Sequence, residues 1–132
     1  MESQKSTYKV LILADEPPLA HMLATLLGME CGTTEVVDSE AMLWQQLALA
    51  HYDMVLMATT VPFATDALIE HKVRHIHKCG ARLLVMLRST HYRHTLRLLG
   101  AGVDCCMAQP ISLHRLHRIV LALLDDRIRR VE

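Results

Sequence analysis

Aromatic side chains are nearly missing from this chain of 132 residues: Tyr8, Trp44, Tyr52, Phe63 and Tyr92 are the whole set. Since 52% of the residues are nonetheless hydrophobic, the core has to be aliphatic and methionine-rich. No apolar run approaches the roughly 20 residues of a membrane span, and Met1 to Thr7 are polar, without the hydrophobic stretch of a secretory signal. The cytoplasm is the expected location, with no membrane partner. Cys31, Cys79, Cys105 and Cys106 have no framework spacing, and the adjacent pair would point to opposite faces of a strand, so reduced thiols are expected. Linkers, low-complexity segments and recognition-helix motifs are absent too. Direct nucleic-acid binding is therefore not expected, beyond the nonspecific attraction that any basic surface supplies.

The length suits one domain with a core that needs no staples. It is placed at residues 8–130, behind a polar N-terminal extension at 1–7. Net charge is zero, but the sum hides a division. Residues 1–70 hold two Lys/Arg against ten Asp/Glu, which is −8, and residues 71–132 hold twelve against four, which is +8. Seven of the nine histidines lie in the second half. On opposite sides of a five-stranded sheet the two lobes would stand about 20 Å apart, beyond the Debye length of about 8 Å at physiological salt. A partner at one edge would then feel mostly that edge's charge; the plainer alternative is a solvated surface with an accidental gradient.

Hydrophobic patterning divides the chain into five strand–helix units. Tyr8 to Leu13 is a short aliphatic strand. Pro17 and Pro18 fit the first turn of a helix, with Leu19, Met22, Leu23, Leu26 and Leu27 on its inner face and Gly28 as its stop. Thr33 to Val37 is the second strand, and Asp38 or Ser39 caps a helix that runs to about Ala50 over Leu43 and Leu47. Asp53 to Ala58 is the third strand, apolar after its first residue as burial on both faces requires. A loop from Thr59 leads to a helix over Thr65–Lys78, with Leu68, Ile69, Val73 and Ile76 inward. Arg82 to Leu87 is strand four, Tyr92 to Leu99 a helix ended by Gly100, and Val103 to Met107 strand five. The last helix starts near Ser112 and turns Leu113, Leu116, Val120, Leu123 and Leu124 inward. Alternation of this kind predicts a doubly wound parallel α/β sheet with helices on both faces. Strand order does not follow from periodicity.

Several pieces are similar in order and spacing to one family: Lys9-Val-Leu-Ile-Leu-Ala-Asp-Glu-Pro17, Asp53-Met-Val-Leu-Met57, Pro62 in the loop after strand three, Ala101-Gly-Val-Asp104 and Pro110-Ile-Ser-Leu113. From Lys9 to about Leu124 the chain resembles the receiver domain of bacterial two-component response regulators. The resemblance implies a flavodoxin-like five-stranded sheet of order 2-1-3-4-5 with five helices and a site above strands one, three, four and five. Active receivers accept phosphate on an aspartate ending strand three. Magnesium is held there by that aspartate, one of an acidic pair after strand one, and a backbone carbonyl. A Thr or Ser ending strand four and a Lys after strand five contact the phosphoryl group.

Transferred onto this chain, the phosphoacceptor position is Ala58, the acidic pair Ala14 and Asp15, the hydroxyl position Leu87, the lysine position Gln109 and the aromatic switch position Cys106. Every side chain that would touch the phosphoryl group is replaced. The chemistry agrees without the family: covalent transfer needs a nucleophile, which a methyl group is not. Magnesium is usually anchored by one or two carboxylates with a phosphate, and only Asp15, helped by Glu16, is at hand. A degenerate receiver is therefore expected, with no catalytic residue, no cofactor and no tightly held metal. Capping the first helix is the structural role that Asp15 would fill instead. Asp53 should lie at the wrong end of its strand to accept phosphate, and Thr59 and Thr60 are weak substitutes.

His71, His75, His77 and Cys79 have the look of metal ligands. Structural zinc wants four converging donors, though, and His77 points away from the His71–His75 face while the helix continues. A solvated helix end is the expectation. A basic set is more informative: Arg88, Arg93 and Arg97 in the fourth unit, with His91 and His94, and Arg115 and Arg118 with His117 in the last helix. In receivers the fourth and fifth helices form the usual dimerisation and partner face; simple solubility is the competing role. The expected function is phosphorylation-independent signalling by protein–protein contact or dimerisation in a two-component or phosphorelay pathway. The expected partner is a histidine kinase, a response regulator or an attached output domain. The competing expectation is a sensor in which Arg93, Arg97 and Arg115 bind an anionic nucleotide messenger, arginine forks being suited to phosphate.

Overall fold

Strands that carry apolar side chains on both faces have to be covered on both, and the chain does this with ten alternating elements. The computed structural model describes residues 8–30, 32–58, 67–87, 92–109 and 112–130. In order these are β1 (Tyr8–Ala14), α1 (Pro17–Glu30), β2 (Gly32–Val37), α2 (Glu40–Leu49), β3 (Met54–Ala58), α3 (Ile69–Lys78), β4 (Arg82–Leu87), α4 (Tyr92–Gly100), β5 (Cys105–Ala108) and α5 (Leu113–Arg130). All pairings are parallel and the order is β2-β1-β3-β4-β5. This is the doubly wound, flavodoxin-like topology. The extension at 1–7, the loop with Thr59, Thr60 and Pro62, the basic Arg88 and His91, and Pro110 with Ile111 lie outside the described residues.

Alternation along each strand splits the core into two layers. Val10, Ile12, Met54, Leu56, Leu84 and Met107 face α1 and α5, where Leu23, Leu27, Leu116, Val120 and Leu124 meet them. Leu11, Leu13, Val55, Met57, Leu83 and Val85 face α2, α3 and α4, packing with Leu43, Leu47, Val73, Ile76 and Leu98. Among the described residues no polar or charged residue is buried. At about 1.5–3 kcal/mol for each large aliphatic side chain, these layers supply most of the stabilisation.

Serine hydroxyls cap two of the helices, and Ser39 is one of the two residues expected to cap the second. Ser39 accepts the Met42 N–H through its hydroxyl at 3.3 Å, ahead of α2, and Ser112 accepts the Arg115 N–H at 3.1 Å, ahead of α5. Other details differ. Helix α1 runs through Gly28, and the positive φ that turns the chain belongs to Gly32, at 138°. Gly100 is the last residue of α4, as expected, and the positive φ beyond it belongs to Gly102, at 105°, where a Cβ would also stand 3.4 Å from Val73 Cγ1. Strands β3 and β5 begin one and two residues later than periodicity suggests.

Met22 is exposed, since it lies more than 100° around α1 from the stripe of Ala20, Leu23 and Leu27. Leu68 is 59% exposed because it precedes α3 rather than joining its inner stripe. Leu113 is exposed in the first turn of α5, ahead of the fully buried Leu116, Val120 and Leu124.

Two carboxylates pin the N-terminal edge of the sheet. Asp53 accepts the Lys9 N–H at 2.9 Å, joining β1 to β3. Asp104 accepts the Leu83 N–H at 2.7 Å and an Arg82 guanidinium N–H at 3.2 Å, and lies 2.9 Å from His77 Nε2. It thereby ties β5, β4 and the end of α3 together. Replacing it would leave a backbone donor and a guanidinium, both shielded from water, without their acceptor. Asp104→Ala is expected to cost about 2–4 kcal/mol in urea unfolding and Asp104→Asn clearly less; a loss within about 0.5 kcal/mol, the usual range for surface changes, would refute the clamp.

Candidate functional site

At the C-terminal edge of the sheet, where a ligand of such a fold would sit, strands β1, β3 and β4 end in apolar side chains. Ala14 and Ala58 end β1 and β3 as direct neighbours in the register, and Met86 is the next neighbour across β4. Both methyl groups belong to the α1–α5 layer, at 3% and 1% exposure. Leu87 ends β4 opposite Ala108, at 8% exposure, and its side chain joins the other layer. Gln109 follows β5 and donates its backbone N–H to the Leu87 carbonyl at 2.8 Å. The four strand-end positions singled out in the sequence thus converge on one edge. What converges there is two methyl groups, an isobutyl group and an amide.

Asp15 follows Ala14 and is exposed. Together with Glu16, Pro17, Pro18, Leu19 and Met22 it lines an open cleft of about 590 Å³. At the start of α1 the Glu16 carbonyl accepts the Ala20 N–H at 2.9 Å. Asp53, the other carboxylate near β3, precedes the strand and lies about 16 Å from Ala58 by strand rise.

Cys106 pairs with Val85 in the register and is half-buried against the α2–α4 layer. Burial, and secondarily the neighbouring Cys105, push its thiol from 9.0 up to about 11. Cys105, facing the other layer, is also raised, by burial first and by Asp104 second, with Arg115 opposing. Neither sulfur is a thiolate nucleophile at neutral pH.

The histidines of α3 separate. His75 sets its ring edge-on to Trp44 at 5.3 Å between centroids, and His77 turns to Asp104. Among the described residues no group of three or more His, Cys, Asp or Glu is placed to hold a metal ion. Arg93 and Arg97, one turn apart on α4, and Arg115 and Arg118 on α5 are all exposed. Two features escaped sequence reasoning. One is the Asp104–Arg82–His77 cluster, whose only signal was an acid just before strand five and an arginine opening strand four. The other is a cleft of about 630 Å³ between α3 and α4 that includes Arg74.

Two outcomes follow. Ala58→Asp alone would put an unpaired carboxylate among Ala14, Leu56 and Met86, and should lower stability by about 2–4 kcal/mol at neutral pH. Burial would raise that carboxyl, so the penalty should shrink as pH falls and the group becomes neutral; urea midpoints at neutral and mildly acidic pH report both effects. At the alkaline end the folded chain keeps the Cys106 proton after the unfolded chain has released its own. The corresponding stabilisation is complete below about pH 9 and is lost as pH rises through about 11. Cys106→Ala should therefore flatten the decline in urea midpoint above about pH 9, whatever it does at neutral pH.

No protein-family model matches the sequence, and no curated protein matches it. Solved structures do. A CheY-like response regulator receiver domain protein from Methanospirillum hungatei superposes with a TM-score of 0.80 at 16% identity, over 95% of this chain and 99% of the other. An orphan response regulator of H. pylori gives 0.78 at 16% identity, over 92% and 99%. The receiver domain of a signal transduction histidine kinase from Syntrophus aciditrophicus gives 0.76 at 20% identity, over 91% and 92%. With that strand order and this agreement along nearly the whole chain, the protein has the receiver-domain fold of two-component response regulators.

Proposed function

We propose that this chain is a degenerate receiver: a non-enzymatic signalling module that works without phosphorylation, through contact with another protein. One observation carries the reading. At the strand end where a receiver accepts phosphate stands Ala58, 1% exposed and packed into the core, beside Ala14 in place of a carboxylate. Leu87 and Gln109 complete the loss, since neither offers the hydroxyl or ammonium group that would meet a phosphoryl oxygen. Electrostatic stabilisation and a nucleophile are what phosphoryl transfer asks of a protein, and the strand-end positions Ala14, Ala58, Leu87 and Gln109 supply neither.

Signalling then has to pass through surfaces. The exposed arginines of α4 and α5 form the surface best suited to it, with a kinase, another regulator, an output domain or a second copy as the partner class. Among the described residues no helix is long and apolar enough to cross a membrane, in keeping with the proposed cytoplasmic setting.

The test is incubation with acetyl phosphate and magnesium, read by intact mass and by light scattering. The expected result is no phosphoryl increment and no change in oligomeric state. A stoichiometric adduct would sink the proposal, whichever residue carried it.

A further inference from the structure

The cleft between α3 and α4 has about 630 Å³ of room, within the range of roughly 300–1,000 Å³ typical of small-molecule sites. It lies away from the degenerate strand-end positions, none of which lines it. Its walls carry two guanidinium groups, Arg74 from α3 and Arg97 from α4, 23 residues apart in sequence and brought together only by the fold. No hydrogen bond or ion pair engages either one among the described residues. That contrasts with Lys72 and Arg82 nearby, which are held by Glu40 at 2.7 Å and Asp104 at 3.2 Å. His71 belongs to the same wall, and Glu70 is the one carboxylate among its described lining residues. The rest of the described lining is apolar: Ala67, Leu68, Ile69 and Ala101, with Leu68 well exposed.

Two like charges facing one cleft repel each other, and an anion between them removes that repulsion while satisfying their N–H groups. The guanidinium is a planar fork that pairs with two oxygens at once. Two forks from different helices therefore match an anion with several oxygens around one centre better than a single carboxylate. Arg93, Arg115 and Arg118 do not line this cleft, so the cations able to share one ligand here are Arg74 and Arg97 rather than the α4–α5 set. We infer that the α3–α4 cleft binds a small phosphate-bearing ligand, with Arg74 and Arg97 clamping the phosphate and the Ala67–Leu68 lip covering the organic part. Occupancy would bridge α3 to α4, and hence reach the α4 face proposed for protein contact, with no phosphoryl transfer.

Isothermal titration of the whole chain with pyrophosphate and with ADP tests this, using Arg74→Gln, Arg97→Gln and, as surface controls, Arg93→Gln and Arg118→Gln. Saturable one-site binding of either probe below about 1 mM is expected. Arg74→Gln or Arg97→Gln should weaken it tenfold or more, on the scale of a lost charge-assisted contact, and the controls less than about twofold. Tighter binding of ADP would assign the lip to an organic moiety, whereas binding of pyrophosphate alone would assign the site to free phosphates; both support the clamp. No saturable heat from either probe would overturn it, as would equal weakening by the controls, which marks diffuse charge attraction. A glutamate-rich peptide that binds more tightly than both probes with the same arginine dependence would also overturn it, reassigning the cleft to an acidic protein segment.

Discussion

Burial of the three central strands on both faces is the constraint from which the rest of this structure follows. From Val10 to Ala14, Met54 to Ala58 and Leu83 to Leu87 every side chain is apolar and shielded from water. A sheet of that kind cannot present a polar face; it needs a helical layer on each side, and amphipathic α3, α4 and α5 supply apolar stripes for that purpose. Polar chemistry is left to the two ends of the strands. At the N-terminal end it is structural, with Asp53 and Asp104 accepting backbone N–H groups from neighbouring strands. At the C-terminal end, where folds of this type place their ligands, the described strands β1, β3 and β4 finish in hydrocarbon side chains.

Features that depend on one stretch of chain were legible in the sequence. Arg82–Leu87 is a strand with those bounds, Leu43 and Leu47 are the buried pair of α2, and Ser39 is its cap. Cys105 and Cys106 do face opposite layers, as the two-residue period of a strand dictates. The convergence of Ala14, Ala58, Leu87 and Gln109 on one edge came from the resemblance, and the strand register places them there.

Features that depend on contacts between distant segments were not legible. Met22 and Leu68 look like core residues until the angular centre of α1 and the starting point of α3 are known. Gly28 looks like a helix stop until the backbone shows α1 running on to Glu30 and Gly32 taking the positive φ. The Asp104 clamp and the Arg74–Arg97 cleft join residues more than 20 positions apart. No local periodicity encodes such pairs.

The division of charge along the sequence becomes spatial in the sheet: residues 1–70 supply β2, β1 and β3, and residues 71–132 supply β4 and β5. The hydrocarbon strand ends at Ala14, Ala58 and Leu87 have a mechanical side as well. A cluster of carboxylates crowded at strand ends is a compressed spring, because like charges held close store repulsion that a cation or a new bond can release. Uncharged methyl and isobutyl groups store none. This edge is therefore slack, and in the proposed function the work of shifting one conformation towards another comes from the free energy of a partner docking on the helices.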